Sequence, residues 1–161
     1  MRFIYADNAA TTRLSDTALK AMLPYLREEY GNASTLYKLG RSAHNAVASA
    51  RRTFADGIQA IPAEIFFTSG GTESDNWAIK GTAHRLARLG KRHIVTDNIE
   101  HHAVLNSVSA LAREGFEITY VKADADGVVP PQAVRAAIRP DTALVSVMFA
   151  NNELGTIQPV A

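Results

Sequence analysis

From residue 64 onward, the sequence alternates short apolar runs with segments that have helical spacing. Four apolar runs predict strands, at 64–68, 93–96, 117–121 and 143–147. The segments between them predict helices, which end at about residues 89, 113 and 138. Strands separated by helices are typical of β-α-β units with right-handed crossovers. We therefore predict an α/β fold of three layers, in which helices cover both faces of a mainly parallel sheet.

The first 60 residues follow a different pattern. Apolar residues at helical spacing predict two helices, at 15–30 and 40–56, and Ser15 or Asp16 can cap the first. We therefore expect an N-terminal helical segment, 1–60, followed by β-α units over 61–161. Residues 156–161 resemble the lead-in to another helix, with Pro159 near its first turn, so we expect the chain to be part of a larger polypeptide.

The expected binding edge of such a sheet lies beyond the carboxyl ends of its strands. Three polar segments follow predicted strands there: TSGGTESD at 68–75, DNIEHH at 97–102 and MFANNELG at 148–155. These segments are the candidates for a site.

The glycine turn of TSGGTESD lies where a strand gives way to a helix. Free N–H groups and a partial positive charge at a helix start can bind an anion, and glycine allows close approach. The alternative is a simple turn, in which Thr72 caps the helix and Asp75 completes a capping-box-like pattern. The turn matches neither the P-loop nor the dinucleotide motif, so ATP and NAD are disfavoured.

The other two segments carry a histidine and an asparagine pair. His101 can act as an acid, a base or a stacking surface, or it can simply be a solvated residue at a helix start. A metal is disfavoured because no other histidine has ligand spacing with it. Asn152, beside Asn151, can donate to a ligand oxygen or belong to a turn. With the glycine turn, these groups suit a phosphorylated aromatic cofactor.

Composition narrows the classes of function. The chain has 161 residues, a net charge of +1 and no cysteine. The charge suggests neither a nucleic-acid nor a membrane partner, and no apolar run approaches the roughly 20 residues that span a bilayer. A cytoplasmic location fits the lack of cysteine.

Several motifs occur together and in a fixed order in this chain. They are Asp7–Thr12, Gly31-Asn32, Thr68–Asn76, Glu100-His101, and Asn151-Asn152-Glu153 with Gly155. On these motifs the chain resembles, over its whole length, the amino-terminal part of NifS-like cysteine desulfurases, pyridoxal-phosphate enzymes of the class V aminotransferase group. Ala33 and Tyr37 depart from the proline and histidine common there. The resemblance implies a partial large domain of the aspartate aminotransferase-like fold, with the small domain absent.

The resemblance also implies a role for each candidate residue. Gly71 and Thr72 would hold the cofactor phosphate, His101 would stack on the pyridine ring and assist proton transfer, and Asn152 would hydrogen-bond the phenolic oxygen. The full enzyme would convert L-cysteine to L-alanine. It would pass sulfur as a persulfide to acceptor or scaffold proteins for iron–sulfur cluster or thio-cofactor synthesis. It would form a cytoplasmic homodimer.

Essential parts of that family lie beyond Ala161, above all the lysine that holds the cofactor covalently and the nucleophilic cysteine. We therefore expect the isolated chain to be inactive and to bind pyridoxal phosphate only noncovalently. Two alternatives stay open. The chain can be a natural half-protein that acts as a binding or assembly module, or part of a selenocysteine lyase or other class V lyase.

Overall fold

A computed structural model describes residues 3–160 and divides them into two units, with the boundary between Phe67 and Thr68. The first unit contains helix α1 (Asp16–Arg27), helix α2 (Lys38–Gly57) and a single 3₁₀ turn (Pro62–Glu64). The Ser15 hydroxyl oxygen accepts the Ala18 N–H at 3.1 Å, so Ser15 rather than Asp16 caps α1.

The strand predicted at 64–68 is wrong. Residues 65–68 are irregular, and no ladder joins them to another strand of the described chain. Phe66 and Phe67 are 64% and 48% exposed, so the apolar run is not buried between two layers. A strand needs a partner for its backbone groups, and apolar β-branched or aromatic composition alone does not provide one.

The second unit is built from alternating helices and strands. Its elements are α3 (Gly71–Ala87), β1 (His93–Asp97), α4 (His102–Arg113), β2 (Glu117–Val121), α5 (Pro131–Ala137) and β3 (Thr142–Val145). The strands form a parallel sheet in the order β2-β1-β3. β1 lies in the centre, and all five of its residues are buried. This arrangement confirms the predicted α/β fold.

Helices cover both faces of this sheet, because neighbouring residues of β1 point to opposite sides. On one face Ile94 packs in a core with α3 and α4, whose buried residues are Ile79, Ala83, Val104, Val108 and Leu111. On the other face Val95 packs with Val121 and Val129, and with Val134 and Ala137 of α5. Ile94, Val108 and Leu111 are fully buried, and each contributes about 1.5–3 kcal/mol of transfer free energy.

The amino edge of the sheet is closed by a polar network. The fully buried His93 ring lies 2.8 Å from the Thr142 hydroxyl through Nδ1 and 2.8 Å from the Thr119 hydroxyl through Nε2. One side chain of β1 therefore joins both neighbouring strands. Arg139 adds paired hydrogen bonds to the carboxylates of Glu117 and Asp141. No helix within residues 3–160 is both long and apolar enough to cross a membrane.

Candidate active site

The histidine segment joins β1 to α4 at the carboxyl edge of the sheet. His101 is the N-cap of α4, and its Nδ1 accepts the Ala103 N–H at 3.1 Å. Because Nδ1 accepts, the neutral ring carries its proton on Nε2. The ring is exposed, and its hydrogen bond to Ala103 holds it at the helix start. It is therefore a solvated helix-start residue whose ring a ligand could still reach.

The asparagine segment forms a turn after β3. Asn151 is only 7% exposed, and its Oδ1 accepts the Glu153 and Leu154 N–H groups at 2.8 Å each. The next residue, Asn152, is exposed and has no hydrogen-bond partner for its side chain among the residues described. The turn therefore uses the first asparagine for its own structure and leaves the amide of the second available.

These two segments line one cleft of about 360 Å³. The lining includes His101, His102, Asn152 and Glu153. The volume falls within the range of about 300–1,000 Å³ typical of small-molecule sites. The structure thus places the predicted histidine and asparagine together at the carboxyl edge.

Two buried carboxyl groups lie at this edge of the sheet: Glu100 is part of the cleft lining, and Asp97 is the last residue of β1. Asp97 ends β1 at 0% exposure; its Oδ1 accepts the Ile99 N–H at 2.9 Å, and its Oδ2 has no partner among the residues described. Burial raises the pKa of the Asp97 carboxyl, and the nearby backbone N–H groups of Ile99, Met148 and Glu100 oppose that shift without Met148 or Glu100 reaching hydrogen-bond geometry. Glu100 is 8% exposed and accepts the Ser146 hydroxyl at 3.0 Å. Burial, and then the neighbouring Asp97 carboxylate, raise the pKa of Glu100.

The glycine turn begins α3, and the predicted Thr72 cap is wrong. Gly70 holds the N-cap position in an extended conformation without a side-chain cap bond. Glu73 instead reaches back, and its Oε2 accepts both the N–H and the hydroxyl of Ser69 at 2.7 Å. The Ser69 N–H, and then its hydroxyl, lower the pKa of Glu73. A carboxylate in the first helical turn can accept a backbone N–H from just before the helix, so Thr72 is not needed as the cap.

The residues of this turn fit an anion such as a phosphate group. A side-chain carbon added at Gly70 or Gly71 would meet nothing within 4 Å, so the space above the backbone is open. The Thr68 and Ser74 hydroxyls bond each other at 2.6 Å, whereas the Thr72 hydroxyl has no partner in the described chain. Gly71 and Thr72 therefore offer free donors at the start of a 17-residue helix.

Asp97 and Glu100 lie in the predicted segment DNIEHH but were given no role of their own, and Ser146 lies outside the three predicted segments. A signal was available for Asp97, because central strands of parallel sheets are buried on both faces and β1 ends on this aspartate. No comparable pattern marks Ser146, whose contact with Glu100 joins residues 46 positions apart.

The aminotransferase class-V family model matches residues 4–161. The chain belongs to the class-V aminotransferase family. It is 52% identical over 157 residues to cysteine desulfurase IscS of Methanosarcina thermophila, and the aligned residues cover 98% of this chain and 39% of that protein. It is 49% identical over 159 residues to cysteine desulfurase IscS of Dictyoglomus turgidum, which covers 99% of this chain and 40% of that protein. This class-V chain spans about 40% of the length of these relatives.

Solved structures agree with this assignment. A NifS-like protein superposes on the class-V chain with a TM-score of 0.92 at 44% identity, covering 96% of this chain and 42% of the other. A structure described as SspA in complex with cysteine gives a TM-score of 0.90 at 42% identity, with 96% and 44% covered. The fold is therefore that of part of a NifS-like protein.

Proposed function

We propose that this chain is the cofactor-binding amino-terminal part of a pyridoxal-phosphate-dependent cysteine desulfurase. The observation that carries the proposal is the cleft shared by His101 and Asn152 at the carboxyl edge of the sheet. The IscS relatives support the same activity, and the solved structure described as SspA in complex with cysteine supports cysteine as the substrate.

Four residues of the chain would hold the cofactor. Gly71 and Thr72 would donate their N–H groups, and Thr72 its free hydroxyl, to the phosphate. The exposed face of the His101 ring would stack on the pyridine ring, and the Asn152 amide would donate to the phenolic oxygen. When bound, pyridoxal phosphate supplies an electron sink that stabilises a substrate carbanion.

The chain's own contribution to catalysis is orientation and proton handling. The Ala103 N–H fixes the His101 ring and its tautomer, so Nε2 is the atom that holds or moves a proton. The sequence contains no cysteine, and none of its lysines lies in the three segments of the candidate site. We expect the 161-residue chain alone to bind the cofactor noncovalently and to release no alanine. The full protein would deliver sulfur to acceptor or scaffold proteins and would form a homodimer.

A chimera tests this function directly. Residues 1–161 would replace the matching segment of the Methanosarcina thermophila IscS relative, and alanine release from cysteine would be measured. We expect an active chimera, in which His101→Ala lowers kcat by about 100-fold and Asn152→Ala by about tenfold, as for loss of an acid/base and of one hydrogen bond.

A matched histidine control separates the site from general damage. His84 is exposed near the end of α3 and contacts Glu114, so His84→Ala should leave kcat within about twofold. A folded chimera that binds pyridoxal phosphate but makes no alanine would contradict the proposed activity. So would equal rates for the chimera and its His101→Ala variant.

A further inference from the structure

The side chain of Asn151 uses its full hydrogen-bonding capacity. Its Nδ2 donates to the Ile99 carbonyl at 2.8 Å and contacts the Met148 sulfur at 3.3 Å. Its Oδ1 accepts from Glu153 and Leu154, as described above. An asparagine offers two donors and two acceptor sites, and all are occupied in a nearly buried position.

The two ends of this amide serve different segments. Oδ1 closes the turn that contains Asn152, within three residues of Asn151. Nδ2 crosses to Ile99, which lies 52 positions earlier in the sequence and two residues before His101. The same amide therefore connects the backbone that carries His101 to the backbone that carries Asn152.

A further side-chain hydrogen bond links the chain that follows β3 to the residue beside His101. The Ser146 hydroxyl donates to Glu100 at 3.0 Å, on the residue that precedes His101. Neither His101 nor Asn152 makes a side-chain hydrogen bond to the other segment in the described chain. Their separation across the cleft is therefore set by the residues beside them.

We propose that Asn151 is a positioning residue that fixes the Asn152 amide relative to the His101 ring. The proposal rests on the proposed function, in which both groups contact one pyridoxal phosphate. Hydrogen bonds weaken steeply outside a narrow range of distance and angle, and misplacement of about 1 Å can cost 100-fold. Loss of the bond to Ile99 would therefore weaken the contact made by Asn152 without removing Asn152.

The variant Asn151→Asp removes the donor side of this amide, which contacts Ile99 and Met148, and keeps its acceptor side. The aspartate oxygen that replaces Oδ1 can still accept from Glu153 and Leu154, whereas the other oxygen cannot donate to the Ile99 carbonyl. We expect about tenfold weaker binding of pyridoxal phosphate to the 161-residue chain, measured by quenching of its one tryptophan, Trp77. Asn106→Asp adds the same charge on the exposed side of α4 and should leave binding unchanged.

A double-mutant cycle with Asn152→Ala distinguishes positioning from general damage or charge repulsion. If Asn151 acts through Asn152, Asn151→Asp should weaken binding by no more than about twofold when Asn152 is already alanine. The same tenfold loss in both backgrounds would overturn the proposal, because repulsion or local unfolding does not need the Asn152 amide.

A cofactor-free measurement keeps this proposal separate from the proposed function. By NMR, Asn151→Asp should shift the His101 ring signals and the Ile99 and Glu100 amides, while the Glu153 and Leu154 amides keep their slow hydrogen exchange. Unchanged His101 signals would overturn the positioning role. A wild-type chain that binds no pyridoxal phosphate would count against the proposed function, and the NMR result would then decide the role of Asn151.

Discussion

Strand β1 begins and ends on a fully buried polar side chain, and the two side chains differ in how many of their polar atoms have hydrogen-bond partners. At the amino edge both ring nitrogens of His93 contact threonine hydroxyls on the flanking strands. At the carboxyl edge one oxygen of Asp97 has no hydrogen-bond partner in the described chain. The hydroxyl of the preceding Thr96 has none either. Buried polar groups in proteins nearly always have a hydrogen-bond partner. The two exceptions in the described chain both lie at the carboxyl edge.

The difference assigns separate tasks to the two edges. At the amino edge the polar side chains join neighbouring strands, so substitutions there should lower the free energy of unfolding. The carboxyl edge carries the cleft and two buried carboxyl groups with raised pKa values. Buried polar groups without a partner lower stability, and a functional site can require them.

The largest effect should come from His93. Replacing it with alanine removes both contacts to threonine and leaves a cavity in the centre of the sheet. We expect the free energy of unfolding to fall by about 2–4 kcal/mol, measured by urea denaturation. His84→Ala, at an exposed ion pair, should change it by less than about 0.5 kcal/mol. Equal effects of the two changes would break the assignment of stability to the amino edge.

A pH dependence follows from the same residue. Burial, and then the nearby Arg139 charge, lower the pKa of His93 below its ordinary value of about 6.5. The unfolded chain therefore binds the proton more readily, and the stabilising contribution of neutral His93 is complete above pH about 6.5 and lost as pH falls below it. Urea denaturation from pH 7.5 to 5.0 should show this loss, and His93→Gln should reduce it. An unchanged slope in His93→Gln would contradict the account.

Asp97, the buried carboxyl at the other end of β1, should give a pH dependence of stability opposite in sign to that of His93. Because burial raises the pKa of Asp97, the folded state favours its protonated form, and stability falls as pH rises from about 4 through the raised pKa. Asp97→Asn keeps the acceptor for the Ile99 N–H and removes the charge. We expect a gain of about 1 kcal/mol in unfolding free energy at pH 7.

Asp124 provides the matched control for that gain. It is exposed, and its Oδ1 also accepts backbone N–H groups, those of Asp126 and Val128. Asp124→Asn should change the unfolding free energy by less than about 0.5 kcal/mol. A loss of stability in Asp97→Asn would show that the carboxylate is satisfied in the folded protein.

The smallest effect on stability should come from Gly71. Alanine there meets open space, and the backbone does not need a positive φ, so unfolding should change by less than about 0.5 kcal/mol. The added methyl would occupy the space proposed for the phosphate, and we expect about tenfold weaker binding of pyridoxal phosphate. At Gly127, where φ is +75° and an added carbon would lie 2.9 Å from Leu154, alanine should cost about 1–2 kcal/mol. Unchanged cofactor binding in Gly71→Ala would remove the glycine turn from the site.

Periodicity and stop signals predicted most of the second unit. The predicted bounds of α4 and β2 match the structure, because Val104, Val108 and Leu111 mark one helix face and Gly115, at φ +89°, ends that segment. The strand at 64–68 failed because a strand depends on a distant partner.

Sequence reasoning selected the residues of the candidate site, whose roles stay predictions, but not the contacts that hold those residues in place. His101 and Asn152 could be chosen because polar residues after buried strands meet at one sheet edge. The bond from Asn151 to Ile99 and the burial of Asp97 depend on how distant segments approach, which the local pattern around each residue does not specify. The Thr72 hydroxyl is free, but Thr72 does not cap the helix, because Gly70 is the N-cap and Glu73 accepts the Ser69 N–H.

An NMR titration of the labelled 161-residue chain with pyridoxal 5′-phosphate tests the central claim most directly. We predict that the Gly71 amide, the His101 ring and the Asn152 side-chain amide shift together and saturate at one cofactor per chain. Signals of the amino edge, such as the His93 ring, should stay in place. Saturation confined to lysine side chains or to the amino edge, with no shift at His101 and Asn152, would contradict the account.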